Sequence, residues 1–162
     1  MITCTLKHNT EQDLILQISS ASSRMKATPD TSSISVVVPN GIYLASEVAL
    51  RLAGWLELSF DGVDYAFSDT ITSAPVYEGA SSTSIQINAT GLFPTMTPPE
   101  VDLEGVSYMT VNVNGDIRIR AEFDPNIIPG STVNYDGESY TVDTITFTQT
   151  ESNSTMELGI NA

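Results

Sequence analysis

The sequence is poor in the residues on which many enzymes and nucleic-acid-binding proteins depend. Among its 162 residues there is one cysteine, Cys4, one histidine, His8, and one tryptophan, Trp55. A disulfide framework needs paired cysteines, and a zinc cluster of Cys and His needs several ligands, so both are excluded. A Ser-His-Asp or Cys-His enzyme would have to rest wholly on His8. Basic residues are scarce too: six Lys and Arg stand against 20 Asp and Glu, a net charge of −14. Phosphate contacts need clustered cations, so nucleic-acid binding is not the main business of such a chain. No apolar run approaches the roughly 18 residues of a transmembrane helix. The segment Met1–His8 lacks the apolar stretch of a signal peptide, so synthesis in the cytosol is expected.

What is present points to strands. Hydrophobic residues make up 41% of the chain, enough for one good core or two small ones. Ser and Thr number 19 each; Thr suits strands, and Ser suits turns. Strands are predicted over 3–7, 14–20, 33–38, 55–60, 63–67, 84–89, 108–113, 117–123, 132–135, 138–148 and 154–160. Asp61-Gly62, Asn114-Gly115 and Asp136-Gly137, each between apolar runs, read as tight hairpin turns that need positive φ. One segment, 42–53, has helical spacing, with Leu44, Val48 and Leu52 four apart and Gly54 placed to end it in a left-handed residue. Its β-branched and aromatic residues also permit a strand. The expected class is all-β with one short α-helix near residues 42–53.

The chain repeats itself. The run from Asp61 to Thr72 resembles that from Asp136 to Thr146, sharing Asp-Gly, Tyr and Asp-Thr-Ile-Thr with one extra residue near Ser68. Each run is followed by a polar loop and a further strand. A fainter third copy, 14–19 with 33–38, reads as shared hairpin grammar. Between the copies, Pro94, Pro98 and Pro99 cannot sit in a central strand or a helix interior. Segment 91–100 is therefore expected to connect an N-terminal module, 1–90, to an acidic C-terminal module, 101–162; the alternative is a long crossing loop within one domain. Charge is uneven in the same sense. Residues 1–60 hold five acids and four bases, whereas residues 61–162 hold fifteen acids and two bases, Arg118 and Arg120.

No motif stands out as a reaction centre. Asp61, Asp64, Asp136, Glu138 and Asp143 sit beside turns, yet no stretch has the spacing of an EF-hand loop, and solvated turn acids are the expectation. A glycosidase would need two carboxylates across a cleft, and the aromatic content is only 7%. Trp55 is expected to fill the core beside the helix, and Cys4 to be a small packing residue. Asn88-Ala89-Thr90 and Asn153-Ser154-Thr155 match the glycosylation pattern by chance, given no secretion signal. Arg118 and Arg120 share one face of a strand. They are either two solvent-facing bases or anchors for carboxylates of a neighbouring subunit.

The run from Pro129 to Thr146, with its Pro-Gly, strand, Asp-Gly and second strand carrying Asp143-Thr144-Ile145, resembles a segment of tail and baseplate hub proteins of tailed bacteriophages. A Ser-rich loop and the apolar strand Met156–Ile160 complete it. In the first half, Ser33–Gly41 followed by Ala45–Ala53 and Trp55–Leu58 is similar to the strand, helix, strand passage near the start of siphophage tail-tip proteins. The chain is short for a central hub.

This resemblance implies a virion component of small β-barrel or β-sandwich modules, assembled in the host cytoplasm as a symmetric ring. Its partners would be other copies of itself and neighbouring tail proteins, with no catalysis, cofactor, membrane or specific nucleic-acid binding. Pro94, Pro98, Pro99, Arg118 and Arg120 are then the interface candidates. Asp124, Asp136, Glu138 and Asp143 are candidates for an acidic lumen or rim, where negative walls let DNA pass without sticking. Rival readings are a head decoration or head-to-tail connector protein, a carbohydrate-binding adhesin with an aromatic platform at Trp55, Tyr65 or Tyr77, and a carboxylate-based hydrolase.

Overall fold

Inward apolar and outward polar residues alternate through most strands of the computed structural model, which describes residues 2–26, 32–40, 44–78, 83–95, 97–150 and 152–161. In chain order the elements are β1 (Ile2–Lys7), β2 (Leu14–Gln17), β3 (Ser20–Lys26), β4 (Ser33–Pro39), α1 (Ala45–Ala49), β5 (Trp55–Phe60), β6 (Val63–Ser73), β7 (Val76–Glu78) and β8 (Thr83–Pro94). There follow β9 (Glu100–Asp102), β10 (Tyr108–Val111), β11 (Ile117–Glu122), β12 (Thr132–Tyr135), β13 (Glu138–Thr141), β14 (Thr144–Thr150) and β15 (Ser154–Ile160). The expected all-β class is correct.

Twelve strands form one sheet in the order β10-β11-β15-β14-β3-β4-β8-β6-β5-β1-β2, with β7 added beside β8. Every pairing in it is antiparallel, as hairpin-rich sequence favours. Tyr65 on β6 and Phe147 on β14 lie four strand steps apart along this path. In a flat sheet that is about 19 Å. Their ring centroids are nevertheless 5.7 Å apart. The sheet must therefore roll until its inner faces meet. Phe60, Tyr65, Phe123 and Phe147 close the gap as edge-on rings, with Phe123 stacked on Phe147 at 4.4 Å. β10 and β2 end this path without pairing with each other, so no closed barrel forms among the described residues.

Strands from both halves of the sequence enter the same twelve-stranded sheet. β14, from the second half, pairs over seven residues with β3, from the first. The strand β3 gave no apolar signal in the sequence. Its inward residues are Ala21, Ser23 and Met25, small enough at the first two to let the facing layer approach, and the Ser23 hydroxyl donates to the Ser33 carbonyl at 2.8 Å. The proline segment is held at both ends. Residues 91–94 finish β8, and the Thr132 N–H donates to the Pro99 carbonyl at 2.9 Å, leading into β9. There β9 runs parallel to β12, which pairs with β13 in a separate three-stranded sheet.

The helix is shorter than its spacing suggested. Of the segment 42–53, α1 takes only Ala45–Ala49, while residues 42 and 43 lie outside the described residues. Val48 is buried, but Leu52 is exposed. Successive turns replace the helix after Leu50, with Arg51 N–H donating to the Val48 carbonyl and Gly54 N–H to that of Arg51. Gly54 is required by proximity, not by left-handed backbone: a Cβ there would overlap the Lys7 carbonyl oxygen. The buried Arg51 ties α1 to the β1–β2 loop, its Nε donating to the Gln12 carbonyl at 2.8 Å and its Nη1 to that of Glu47 at 2.7 Å.

Candidate assembly surfaces

Two turns form as the sequence predicted. Asp61-Gly62 and Asp136-Gly137 both have two successive positive φ angles, and each closes a two-residue hairpin. Asn114-Gly115 makes a wider loop, since β10 and β11 close at Val111 opposite Ile117. The predicted strand 138–148 is cut at Val142-Asp143, leaving β13 in the small sheet and β14 in the large one.

The turn acids differ in their surroundings. Asp136 and Glu138 are exposed together at the β12–β13 hairpin. Asp143 is tied down, because its Oδ2 accepts the Asn161 N–H at 2.6 Å. Asp124 Oδ1 accepts both the backbone N–H and the side-chain amide of Asn126 at 2.9 Å. It also lines a cavity of about 390 Å³ with Asp102, Glu104 and Glu122, a grouping the sequence did not suggest because its members come from distant loops and strand ends. No group of three or more potential metal ligands gathers closely among the described residues.

The prolines are used within the chain. Pro94 is half-buried opposite Ala66, and Pro99 is half-buried with its carbonyl engaged by Thr132. Pro98 is exposed yet packs on Gly130, where an added Cβ would lie 3.2 Å from its ring.

Arg118 and Arg120 do share the outer face of β11. Arg118 Nη1 lies 3.5 Å from Glu157 Oε1 within the same chain, and the Arg120 guanidinium stacks over the Tyr108 ring at 5.2 Å. The Tyr108 hydroxyl donates to Glu157 Oε2 at 2.9 Å, which holds its own pKa above the ordinary tyrosine value. These contacts orient both arginines, and both remain exposed.

The aromatic platform does not form as envisaged. Tyr65 is fully buried; burial, aided by the charge of Asp124, pushes its hydroxyl pKa well above the ordinary value, and the hydroxyl donates to the Ile127 carbonyl at 3.3 Å. Trp55 does not fill the core. It stands half-buried on the outer side of β5, where inward positions are Leu56, Leu58 and Phe60, and its indole N–H donates to Glu57 at 3.3 Å. An open groove of about 450 Å³ runs past Trp55, Glu57, Phe67 and Asp69. Tyr77 is exposed elsewhere, on β7. Cys4 is wholly buried, as a packing residue should be, and burial raises its thiol pKa. His8 Nδ1 accepts the Thr10 N–H at 3.2 Å, closing the loop after β1.

The strands that end the path of the large sheet, β10 and β2, are open edges. Among the described residues β10 pairs only with β11, and β2 only with β1. Neither strand holds a proline or a charged residue, the devices that usually guard an edge. Each also shows a large apolar side chain to solvent: Ile15 is 70% exposed on β2, and Val111 is 63% exposed on β10.

No protein-family model matches the sequence, and no curated protein matches it. Solved structures do resemble the fold. The tail protein from Neisseria meningitidis MC58 superposes with a TM-score of 0.64 at 7% identity, over 99% of this chain and 96% of that one. The 43 kDa tail protein of prophage MuSo2 from Shewanella oneidensis gives 0.64 at 4% identity, over 98% and 95%. At such identities the likeness is one of fold.

Proposed function

We propose that the chain is a structural component of a bacteriophage tail, at its tip or baseplate, whose copies join in a symmetric ring and dock neighbouring tail proteins. Two sheet edges that are open, uncharged and apolar carry this reading. A strand with unpaired backbone groups is a template for another strand. Two different edges, each of four residues, permit head-to-tail contact of β10 on one copy with β2 on the next. A head-to-tail contact that closes makes a ring. The fold, shared over nearly its full length with two tail proteins, one of them from a prophage, supports the same reading.

Within such a ring the chain binds rather than catalyses, and its place is the virion. Pro94, Pro98 and Pro99 stiffen the passage from β8 to β9, and Arg118 and Arg120 offer charge beside the β10 edge. Asp124, Asp136 and Glu138 would supply the acidic rim, with Asp143 holding the final strand beneath it. Antibody against the chain, gold-labelled and applied to intact phage particles, tests the assignment. Label at the distal tail supports it. Label on the head would instead indicate a decoration or connector protein, and particles free of the chain would overturn a virion role.

A second reading rests on the groove at Trp55. An aromatic side chain beside Glu57 and Asp69 has the chemistry of a sugar subsite. Because Trp55 is the sole tryptophan, its fluorescence reports this groove alone. A saturable change on titration with host-surface glycans favours that reading; no change removes it.

A further inference from the structure

We infer that the outer face of β11, β15, β14 and β3 is a cationic docking face for carboxylates of a second copy of this chain. This rests on the self-association proposed above and names a contact separate from the sheet edges. Strand register places the cations. Across the sheet, Arg118 stands opposite Gly159, Gly159 opposite Thr144, and Thr144 opposite Lys26. In the next row Arg120 stands opposite Glu157, Glu157 opposite Thr146, and Thr146 opposite Arg24. Directly cross-strand residues share a face. Four of the six Lys and Arg in the protein are therefore gathered on one outer surface of a chain whose net charge is −14.

The face has a built centre. A cavity of about 250 Å³ is walled by Arg24, Lys26 and Arg118, with Thr144 and Asn161 as further donors and Asp116 at its side. Its floor is Gly159, where an added Cβ would overlap the Thr144 hydroxyl and come within 3.6 Å of Arg118 Nη1. Glycine thus keeps the space between the cations open. Glu157, held by Tyr108 and Arg118, is the one carboxylate within the two rows. Among the described residues no acid lies within ion-pair distance of Arg24, Lys26 or Arg120. The remaining bases are committed elsewhere: Lys7 pairs with Asp13 at 2.6 Å, and Arg51 is buried.

Charge decides the occupant. Two copies at −14 each repel over most of their surfaces, and this face is where carboxylates meet opposite charge. A complementary surface bears Asp102, Glu104, Glu122 and Asp124, and Glu122 follows Arg120 on the outer face of β11. The two surfaces differ, so the contact is head-to-tail and propagates or closes. Arg presents a planar fork that grips carboxylates bidentately, which gives register as well as attraction.

Sedimentation velocity tests this with wild type, R24E/R118E, the milder R24Q/R118Q and E104K/E122K, all substituted at exposed positions and checked for folding by circular dichroism. Wild type should associate at low salt and weaken by about tenfold or more toward 1 M, as screening predicts. R24E/R118E should lose that association, with R24Q/R118Q intermediate, and mixing R24E/R118E with E104K/E122K should restore it. Association that survives both salt and R24E/R118E overturns the docking face but leaves edge-driven assembly standing. A wild type that is monomeric at every salt concentration overturns the self-association reading and this inference together.

Discussion

The two halves of the sequence repeat contain the same turn and nearly the same strand, yet fold to different ends. After Asp61-Gly62, β6 runs unbroken for 11 residues in the large sheet, pairing with β5 on one side and β8 on the other. After Asp136-Gly137, β13 stops at four residues in the small sheet, and β14 starts afresh in the large one. Tyr65 in the first copy is fully buried; Tyr140 in the second is half-buried. The turn chemistry is the same, so the difference lies in the strand beyond the turn. The first strand offers Tyr65, Ala66 and Ile71 to the core, with Ser68 turned inward by a bulge so that its hydroxyl accepts the Leu56 N–H at 2.9 Å. Glu138-Ser139-Tyr140-Thr141 offers one apolar side chain and cannot hold a place over the core. Asp-Gly specifies a hairpin, and the inward residues decide which sheet receives it.

The contrast can be broken most forcefully at its tyrosines. Tyr65→Ala should destabilise the fold by about 3–5 kcal/mol, as removal of a buried aromatic does. Tyr140→Ala should lower it by about 1 kcal/mol, nearer the usual effect of a substitution outside the core. Urea unfolding of both variants measures the difference, and equal losses would show the two hairpins to be energetically alike. The same asymmetry has a pH signature. Burial favours the neutral form of Tyr65, so its folded pKa exceeds the unfolded value of about 10. Below that pH both states keep the proton and stability is intact. Above it the unfolded chain releases a proton that the folded chain retains, and stability should fall by about 1.4 kcal/mol per pH unit. Absorbance titration should show Tyr65 ionising only as the protein unfolds.

Smaller effects are expected at the glycines and at Asp143. Gly159→Ala forces a methyl onto Thr144 and should cost about 1–3 kcal/mol by overpacking, read as a lowered unfolding midpoint. Gly62→Ala and Gly137→Ala meet open space but place alanine at φ near +80°, for about 1–2 kcal/mol each. Hydrogen exchange should register the first as global weakening and the second as opening confined to the β12–β13 hairpin. Asp143→Ala removes the acceptor for the Asn161 N–H and should lower stability by about 1 kcal/mol.

Most of the strands were legible because their inward positions alternate, as in Cys4 and Leu6 or Ile34, Val36 and Val38. The strand β3 was not, since Ser-Ala-Ser-Ser has no apolar period; it is held as a strand by β4 and β14 on its two sides. Nor could spacing show that the prolines lead the chain along β12 instead of away from it. The shared face of Arg118 and Arg120 followed from simple alternation. Their company with Arg24 and Lys26 did not, because it depends on long-range register between strands about ninety residues apart. Trp55 was misplaced for a related reason: the parity of β5 is set by Leu56, Leu58 and Phe60, which leaves the tryptophan on the outer side.

Open sheet edges are what would make this chain an assembly unit. Light scattering across protein concentration, on wild type and on Ile15→Lys, addresses that directly. A charge on an edge strand blocks pairing with another strand and leaves the core untouched. Edge-driven assembly predicts a wild-type mass that is a multiple of 17.4 kDa and an Ile15→Lys mass that falls back toward the single chain. A wild type that stays at 17.4 kDa at every concentration would contradict it.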